Sequence, residues 1–361
     1  MSVGQPKSAL DTPVLWVDLD LLEQNIKHLG HYFKKAGVGW RPHTKGIKVP
    51  AIAHKLIDAG AIGVTCAKLG EAEVMAAAGI KDILIANQVV GPIKISRLVN
   101  LQRHADVMVA IDSLNNAQEI SQAATRAEVR VRALIEVNVG MDRCGVQPGA
   151  PVVDLATKVA ALPGFRLAGV MSWEGHVLGI KDQKEKEIRC KDAVSALVRS
   201  AEMCRTSGLE VSIVSCGGSG TYKITSAIGG VTEIQAGGAV FADVAYRIWG
   251  VDTPYALFVQ ATVISRPSAT RAIVDAGRKA MSGEVVMPQL WGVEGAQLTA
   301  LHAEHGILQL AGQEVHLQIG DKVDFVVGYG DSTVFLHNQL WGVRNGTVEI
   351  AWDISARGKL T

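Results

Sequence analysis

A short β-rich apolar run, a turn and then a helix-like stretch recur along the first 250 residues, and this repetition predicts the architecture. The runs are Val38–Arg41, Ile62–Cys66, Asp82–Ala86, Asp106–Ile111, Val129–Val139, Phe165–Ser172, Val211–Val214 and Thr232–Gln235. Stretches with helical spacing lie between most of them, the longest from Lys181 to Arg205. Eight such units running in one direction predict an α/β fold, a closed parallel (β/α)8 barrel of the TIM type; an open doubly wound sheet is the alternative. Near residue 250 the pattern changes. Runs at 256–265, 271–277, 305–310, 322–327 and 340–350 read as strands, with no long helix among them. Within the last run Asn345-Gly346 sits between Trp341–Arg344 and Thr347–Ile350 and predicts a tight hairpin of the primed type. The expected organisation is a strand-bearing segment at 1–20 (strand Val14–Asp20) that joins a β domain, a barrel at 21–250, and the C-terminal β domain at 251–361.

Composition narrows the function. The 361 residues carry 36 basic and 35 acidic side chains, and 5% are aromatic. Neither a basic track nor a stacking surface for bases is present, so nucleic acid is not an expected partner. No apolar run reaches the ~18 residues of a membrane span, and the N-terminal residues do not read as a signal peptide. Of the five cysteines (Cys66, Cys144, Cys190, Cys204, Cys216) none forms a CxxC pair, and an odd number cannot be fully paired. A cytoplasmic enzyme acting on a small molecule is the resulting expectation.

In a parallel barrel the chemistry sits at the C-terminal ends of the strands. Those ends carry Arg41-Pro42-His43-Thr44-Lys45, then Asn138, Gly140, Asp142 and Arg143, then Trp173-Glu174-Gly175-His176, then Cys216 to Thr221, and Ala236-Gly237-Gly238. The Gly218-Ser219-Gly220-Thr221 turn has the character of a phosphate site, since glycine admits close backbone approach and the hydroxyls add donors. Gly237 and Gly238, one strand later, reinforce it. Lys45 at the barrel mouth can form a Schiff base if partly desolvated, although a solvated loop lysine is the commoner identity. A phosphate cradle beside a mouth lysine is what pyridoxal 5'-phosphate (PLP) needs. Arg143 can bind a cofactor or carboxylate, or pair with Asp142 or Glu136. His43 and His176 are acid–base candidates or satisfied polar side chains.

These residues, taken together, resemble a known family. RPHTK (Arg41 to Lys45), KLGEAE (Lys68 to Glu73), GIKDILIANQVVGPIK (Gly79 to Lys94), EVNVGMDRCGV (Glu136 to Val146), CGGSGT, TEIQAGG, VDAGRK (Val274 to Lys279) and the closing VRNG are similar to the D-threonine aldolase and D-serine dehydratase family. That family shares the fold-type III PLP barrel of alanine racemase. The resemblance implies that Lys45 carries PLP, that Arg143 lies near the ring's phenolic oxygen, and that Gly218, Ser219, Gly220, Gly237 and Gly238 bind the phosphate. It also implies a divalent cation, held by a His-x-Asp or His-x-Cys pair near the C-terminus. Here Asp331 matches the second ligand but Tyr329 stands in place of the histidine, and Ile47 replaces a histidine that commonly follows the lysine. Asp331 alone cannot define a site, so any cation (Mg or Mn) is expected to bind loosely or to recruit His337, His302, His305 or His176. The other outcome is metal independence, with Tyr329 as an acid–base group.

The implied reaction is retro-aldol cleavage of a D-β-hydroxy-α-amino acid, D-threonine-like, to glycine and an aldehyde. Lys45, His43, Tyr329 and His176 are its candidate catalytic groups. Dehydration of the D-serine type and racemisation are rivals from the same cofactor. A non-catalytic PLP carrier is a rival of another class, opposed by a β domain that can roof the barrel mouth. A homodimer is the default by analogy.

Overall fold

The computed structural model describes residues 3–312 and 314–361. The chain forms two compact units: Met1–His28, Gly46–Ala51 and Gly238–Arg357 make the first, and Leu29–Lys45, Ile52–Gly237 and Gly358–Thr361 the second. Strand β1 (Val14–Asp18) belongs to the first. The second is built from β2 (Gly39–Trp40), β3 (Val64–Cys66), β4 (Asp82–Ile85), β5 (Asp106–Ile111), β6 (Val131–Glu136), β7 (Phe165–Met171), β8 (Ile213–Cys216) and β9 (Glu233–Ile234). They pair in the order β2-β9-β8-β7-β6-β5-β4-β3, every pair parallel. A parallel bridge between His43 and Thr65 joins the end of β2 to β3 and closes the ring. Each of the eight apolar runs thus carries a barrel strand, and the open-sheet alternative is excluded. The Val129–Val139 run supplies only β6. Beyond it Val137 bridges Val146, where the chain doubles back between Gly140 and Gly145, both at positive φ.

The strand starts are tied by buried charge. Arg41 Nε donates to both oxygens of Glu233 at 3.0 and 3.1 Å, and its Nη1 donates to Asp82 at 2.8 Å. Asp82 also accepts from Arg132 Nη2 at 2.6 Å. The longest helix, Gln183–Thr206, starts where Asp182 accepts a capping hydrogen bond from Glu185 N–H. It buries Cys190, Ala193, Val194, Leu197, Ala201 and Cys204 along one face. Cys190 and Cys204 therefore act as small apolar core residues, and burial pushes the Cys190 thiol up to about 12. Among the described residues no disulfide is formed, and no helix is long and apolar enough to cross a membrane.

The first unit is organised by a nine-stranded sheet. It adds β10 (Leu257–Ser268), β11 (Arg271–Val274), β12 (Gln289–Trp291), β13 (Ala296–Leu301), β14 (Gly306–Leu310), β15 (Lys322–Val326), β16 (Gln339–Arg344) and β17 (Thr347–Asp353). β1 pairs antiparallel with β10 and parallel with β16. Trp16 stacks on Phe258 with ring centroids 4.7 Å apart, inside a cluster with Leu10, Val326, Val343 and Val348. Asn345 and Gly346 take φ of 48° and 73° between β16 and β17, the left-handed pair that a primed hairpin turn requires. β12 and β13 were not expected from the pattern. In β13, Ala, Gln and Thr flank the two leucines, which leaves no continuous apolar run.

Candidate active site

Lys45 lies in a single 3-10 turn, Thr44–Gly46, directly after β2, and is half-buried. His43 Nδ1 accepts the Lys45 backbone N–H at 3.3 Å, so this histidine shapes the lysine's turn. The strand-nine end is pressed against the same turn. His43 N–H donates to Gln235 O at 3.1 Å. A Cβ on Gly237 would sit 2.8 Å from the backbone C and N of His43. A Cβ on Gly218 would overlap the ring of Trp173. Glycine is thus required at both positions by packing. Ser219 is buried, and among the described residues the N–H groups of Gly220 and Gly237 donate to no protein acceptor. Backbone donors left unpaired beside side-chain-free approaches fit a phosphate, and with Lys45 they fit PLP.

Thr221 plays a different part from the donor expected of it. Its hydroxyl proton goes to Glu174 Oε1 at 2.6 Å, while its oxygen accepts from Gly218 N–H at 3.0 Å. Glu174 Oε2 also accepts Gly217 N–H at 3.3 Å. This fully buried carboxyl braces the glycine loop from the end of β7. Sequence reasoning placed Glu174 at a strand end but assigned it no role. Burial raises its pKa, against the hydrogen bonds from Thr221 and Gly217. Glu174→Gln keeps an acceptor for Thr221 but turns an amide N–H2 toward Gly217 N–H. The expected cost is about 1–3 kcal/mol of stability, with weaker cofactor uptake, read by denaturation and by PLP titration. A raised folded-state pKa means that the neutral form is the one folding favours. Its contribution is complete below the ordinary carboxylate range and is lost as pH rises through the folded value. The stability difference between wild type and Glu174→Gln should therefore shrink or reverse as pH rises; a pH-independent difference would count against this role.

The loop after β6 carries Arg143. Asn138 holds Asp142, with Nδ2 donating to Asp142 Oδ1 at 2.8 Å. Arg143 Nη2 lies 3.8 Å from Glu136 Oε1 and its side chain is 52% exposed, so the guanidinium is only loosely engaged. Glu136 also accepts from Gln88 Nε2, and burial raises its pKa. His176 is exposed, against Gly140, and lines an open pocket of about 690 Å³ with Asn138, Ile180 and Arg189. Burial, then the Arg189 charge, lowers its pKa.

Within the first unit a second cluster surrounds Tyr329. Its hydroxyl donates to Asp331 Oδ2 at 2.8 Å, and its ring lies 5.8 Å, centroid to centroid, from that of Tyr246. Trp249 meets both phenol rings edge-on, with centroids 5.4 Å from Tyr246 and 5.5 Å from Tyr329. Asp243 accepts Tyr246 N–H at 2.7 Å and Gly330 N–H at 2.6 Å, and burial pushes its pKa up to about 8. Burial, reinforced by the Asp331 charge, drives both phenols above their ordinary range. The Asp331 carboxylate faces Gly46, where a Cβ would collide with it, and the Tyr246 phenol faces Gly238 in the same way. Ile47 is fully buried. His337 Nε2 is bonded to Ala280 O at 2.7 Å. Among the described residues no group of three or more His, Cys, Asp or Glu side chains is arranged to hold a metal. With Asp331 engaged by a phenol, the residues present do not fit the implied divalent cation. Asp243, Tyr246 and Trp249 were missed by sequence reasoning; Asp243, alone within an apolar run, was the available signal.

Comparison with known proteins bears on this geometry. The family model for the alanine racemase N-terminal domain matches residues 17–244, and the model for a putative serine dehydratase domain matches residues 256–343. A D-threonine aldolase from Arthrobacter sp. is 37% identical over 359 residues, covering 98% of this chain and 95% of the relative. A 3-hydroxy-D-aspartate aldolase from Paracoccus denitrificans (strain Pd 1222) is 33% identical over 374 residues, covering 99% and 94%. The crystal structure of D-threonine aldolase from Filomicrobium marinum superposes with a TM-score of 0.97 at 36% identity, covering 100% of both chains.

Proposed function

Because this chain belongs to the D-threonine aldolase and D-serine dehydratase family of fold-type III PLP enzymes, we propose that it cleaves a D-β-hydroxy-α-amino acid to glycine and an aldehyde. The observation that supports the reading is the packing of Gly237 onto the His43 backbone, which sets the strand-nine end against the segment that leads into the lysine turn. Lys45 would hold PLP; Gly218, Ser219, Gly220, Gly237 and Gly238 would hold its phosphate, and Arg143 would face the ring's phenolic oxygen. Bound PLP supplies an electron sink for the pair released when the Cα–Cβ bond breaks.

The remaining work falls to side chains. Thr221 and Glu174 keep the phosphate loop in shape. His43 sets the turn that presents Lys45. Tyr329 is assigned an acid–base role, its own proton directed to Asp331 Oδ2 along the hydrogen bond that joins them. His176 is assigned to proton transfer or to the substrate's far end. A cytoplasmic location agrees with five cysteines that form no disulfide, and a homodimer follows by analogy with the fold.

The experiment is product identification on a panel of D-β-hydroxy-α-amino acids with the PLP-loaded enzyme. Glycine and an aldehyde in equal amounts are expected. A 2-oxo acid with ammonia would replace the aldolase reading by the dehydratase one. Inversion at Cα alone would replace it by racemisation, and no turnover on any substrate would favour a PLP carrier.

A further inference from the structure

We infer that a hydrogen-bonded pair, Tyr329 donating to Asp331, fills the position at which a His-x-Asp pair would hold a divalent cation, and closes it to cations. The inference rests on these side chains alone and stands whether or not the aldolase reading holds. A carboxylate ligand needs a lone pair aimed at the metal, and its partner must supply another. Asp331 Oδ2 instead receives the Tyr329 hydroxyl proton at 2.8 Å. A protonated phenol presents a donor to its neighbour and only a weak oxygen to a metal. The phenol ring is packed on two sides: its centroid lies 5.8 Å from that of Tyr246, and Trp249 meets both rings edge-on.

The backbone carrying the two ends is held as well. One buried carboxyl, Asp243, accepts the N–H of Tyr246 and the N–H of Gly330, the residue between Tyr329 and Asp331. This bracing fixes where the phenol and the carboxylate stand relative to one another. Replacement of a single imidazole by a phenol thus becomes a stable alternative arrangement, in which the Tyr246 and Trp249 rings position the Tyr329 phenol.

The test is metal content and manganese binding. Purified wild-type holoenzyme is analysed for bound metal by mass spectrometry, then titrated with Mn2+ and followed by electron paramagnetic resonance. Far less than one equivalent of any divalent metal is expected, with no saturable Mn2+ site involving Asp331. Tyr329→His should bind one Mn2+ at least about 100-fold more tightly than wild type, because imidazole restores the lone pair; Tyr329→His with Asp331→Asn should lose that site. Tyr329→Phe, which keeps the ring and removes the donor, serves if the histidine variant does not fold; it should admit Mn2+ more readily than wild type. A stoichiometric wild-type metal that Asp331→Asn removes would overturn the inference. A metal that survives Asp331→Asn lies elsewhere and leaves the inference standing. Folded Tyr329 variants that gain no Mn2+ affinity would overturn the assignment of the phenol as the closing group.

Discussion

Lys45→Ala should abolish the visible absorbance of lysine-bound cofactor and reduce turnover by roughly 10³-fold or more, as removal of a covalently acting group does. The lysine's place after β2, in a turn shaped by His43 Nδ1, with Gly237 packed on the His43 backbone, makes it the amine assigned to the cofactor. Neighbouring lysines do not share that position: Lys48 is buried within the other unit, at φ 57°, with its carbonyl accepting Ala356 N–H at 3.1 Å. The measurement is the absorption spectrum after PLP loading, paired with the product assay. A Lys45→Ala protein that remained yellow through a lysine and still turned over substrate would transfer the role to another residue.

Arg41→Met should act on stability instead, although Arg41 and Lys45 belong to the same five-residue motif. Arg41 is 2% exposed and holds two carboxylates, Glu233 and Asp82. Removing it leaves Glu233 buried without its cation, and breaking such a pair costs about 3–5 kcal/mol. Chemical denaturation of the apo chain should register that loss. At temperatures where the variant is folded, loading with PLP should restore the visible absorbance, since Arg41 reaches toward the strand starts and not toward the glycine loops. Unchanged stability together with lost cofactor would show that Arg41 belongs to the cofactor site.

The contrast between those two variants marks how far a motif can be read. RPHTK was legible as one unit of resemblance, yet its residues divide between buried ion pairing, turn shaping and the chemistry proposed for Lys45. The division depends on which way each side chain points as the chain leaves a strand of only two residues, and no spacing rule reports that. Thr221 makes the same point. Its hydroxyl read as a phosphate donor beside glycines, and the fold turned it inward because Glu174, 47 positions earlier, needed a partner.

By itself the sequence determined the eight barrel strands, the β-rich second half, the Asn345-Gly346 hairpin and the candidate lysine and glycines. These follow from local periodicity, from turn chemistry and from residue types that report on themselves. Substitution of Tyr329 for a metal-binding histidine was also visible there, as a departure. Only the tertiary structure decided what that departure means. It brought Tyr246, Trp249 and Asp243 around Tyr329 and Asp331, joining segments 87 positions apart, as the Asp243-to-Gly330 hydrogen bond shows. It likewise set Glu174 beneath the glycine loop and Gly237 against His43. The physical reason is the same in each case. A buried hydroxyl or carboxyl must find a partner wherever the fold places one, and that partner's identity is a property of packed neighbours, not of sequence spacing.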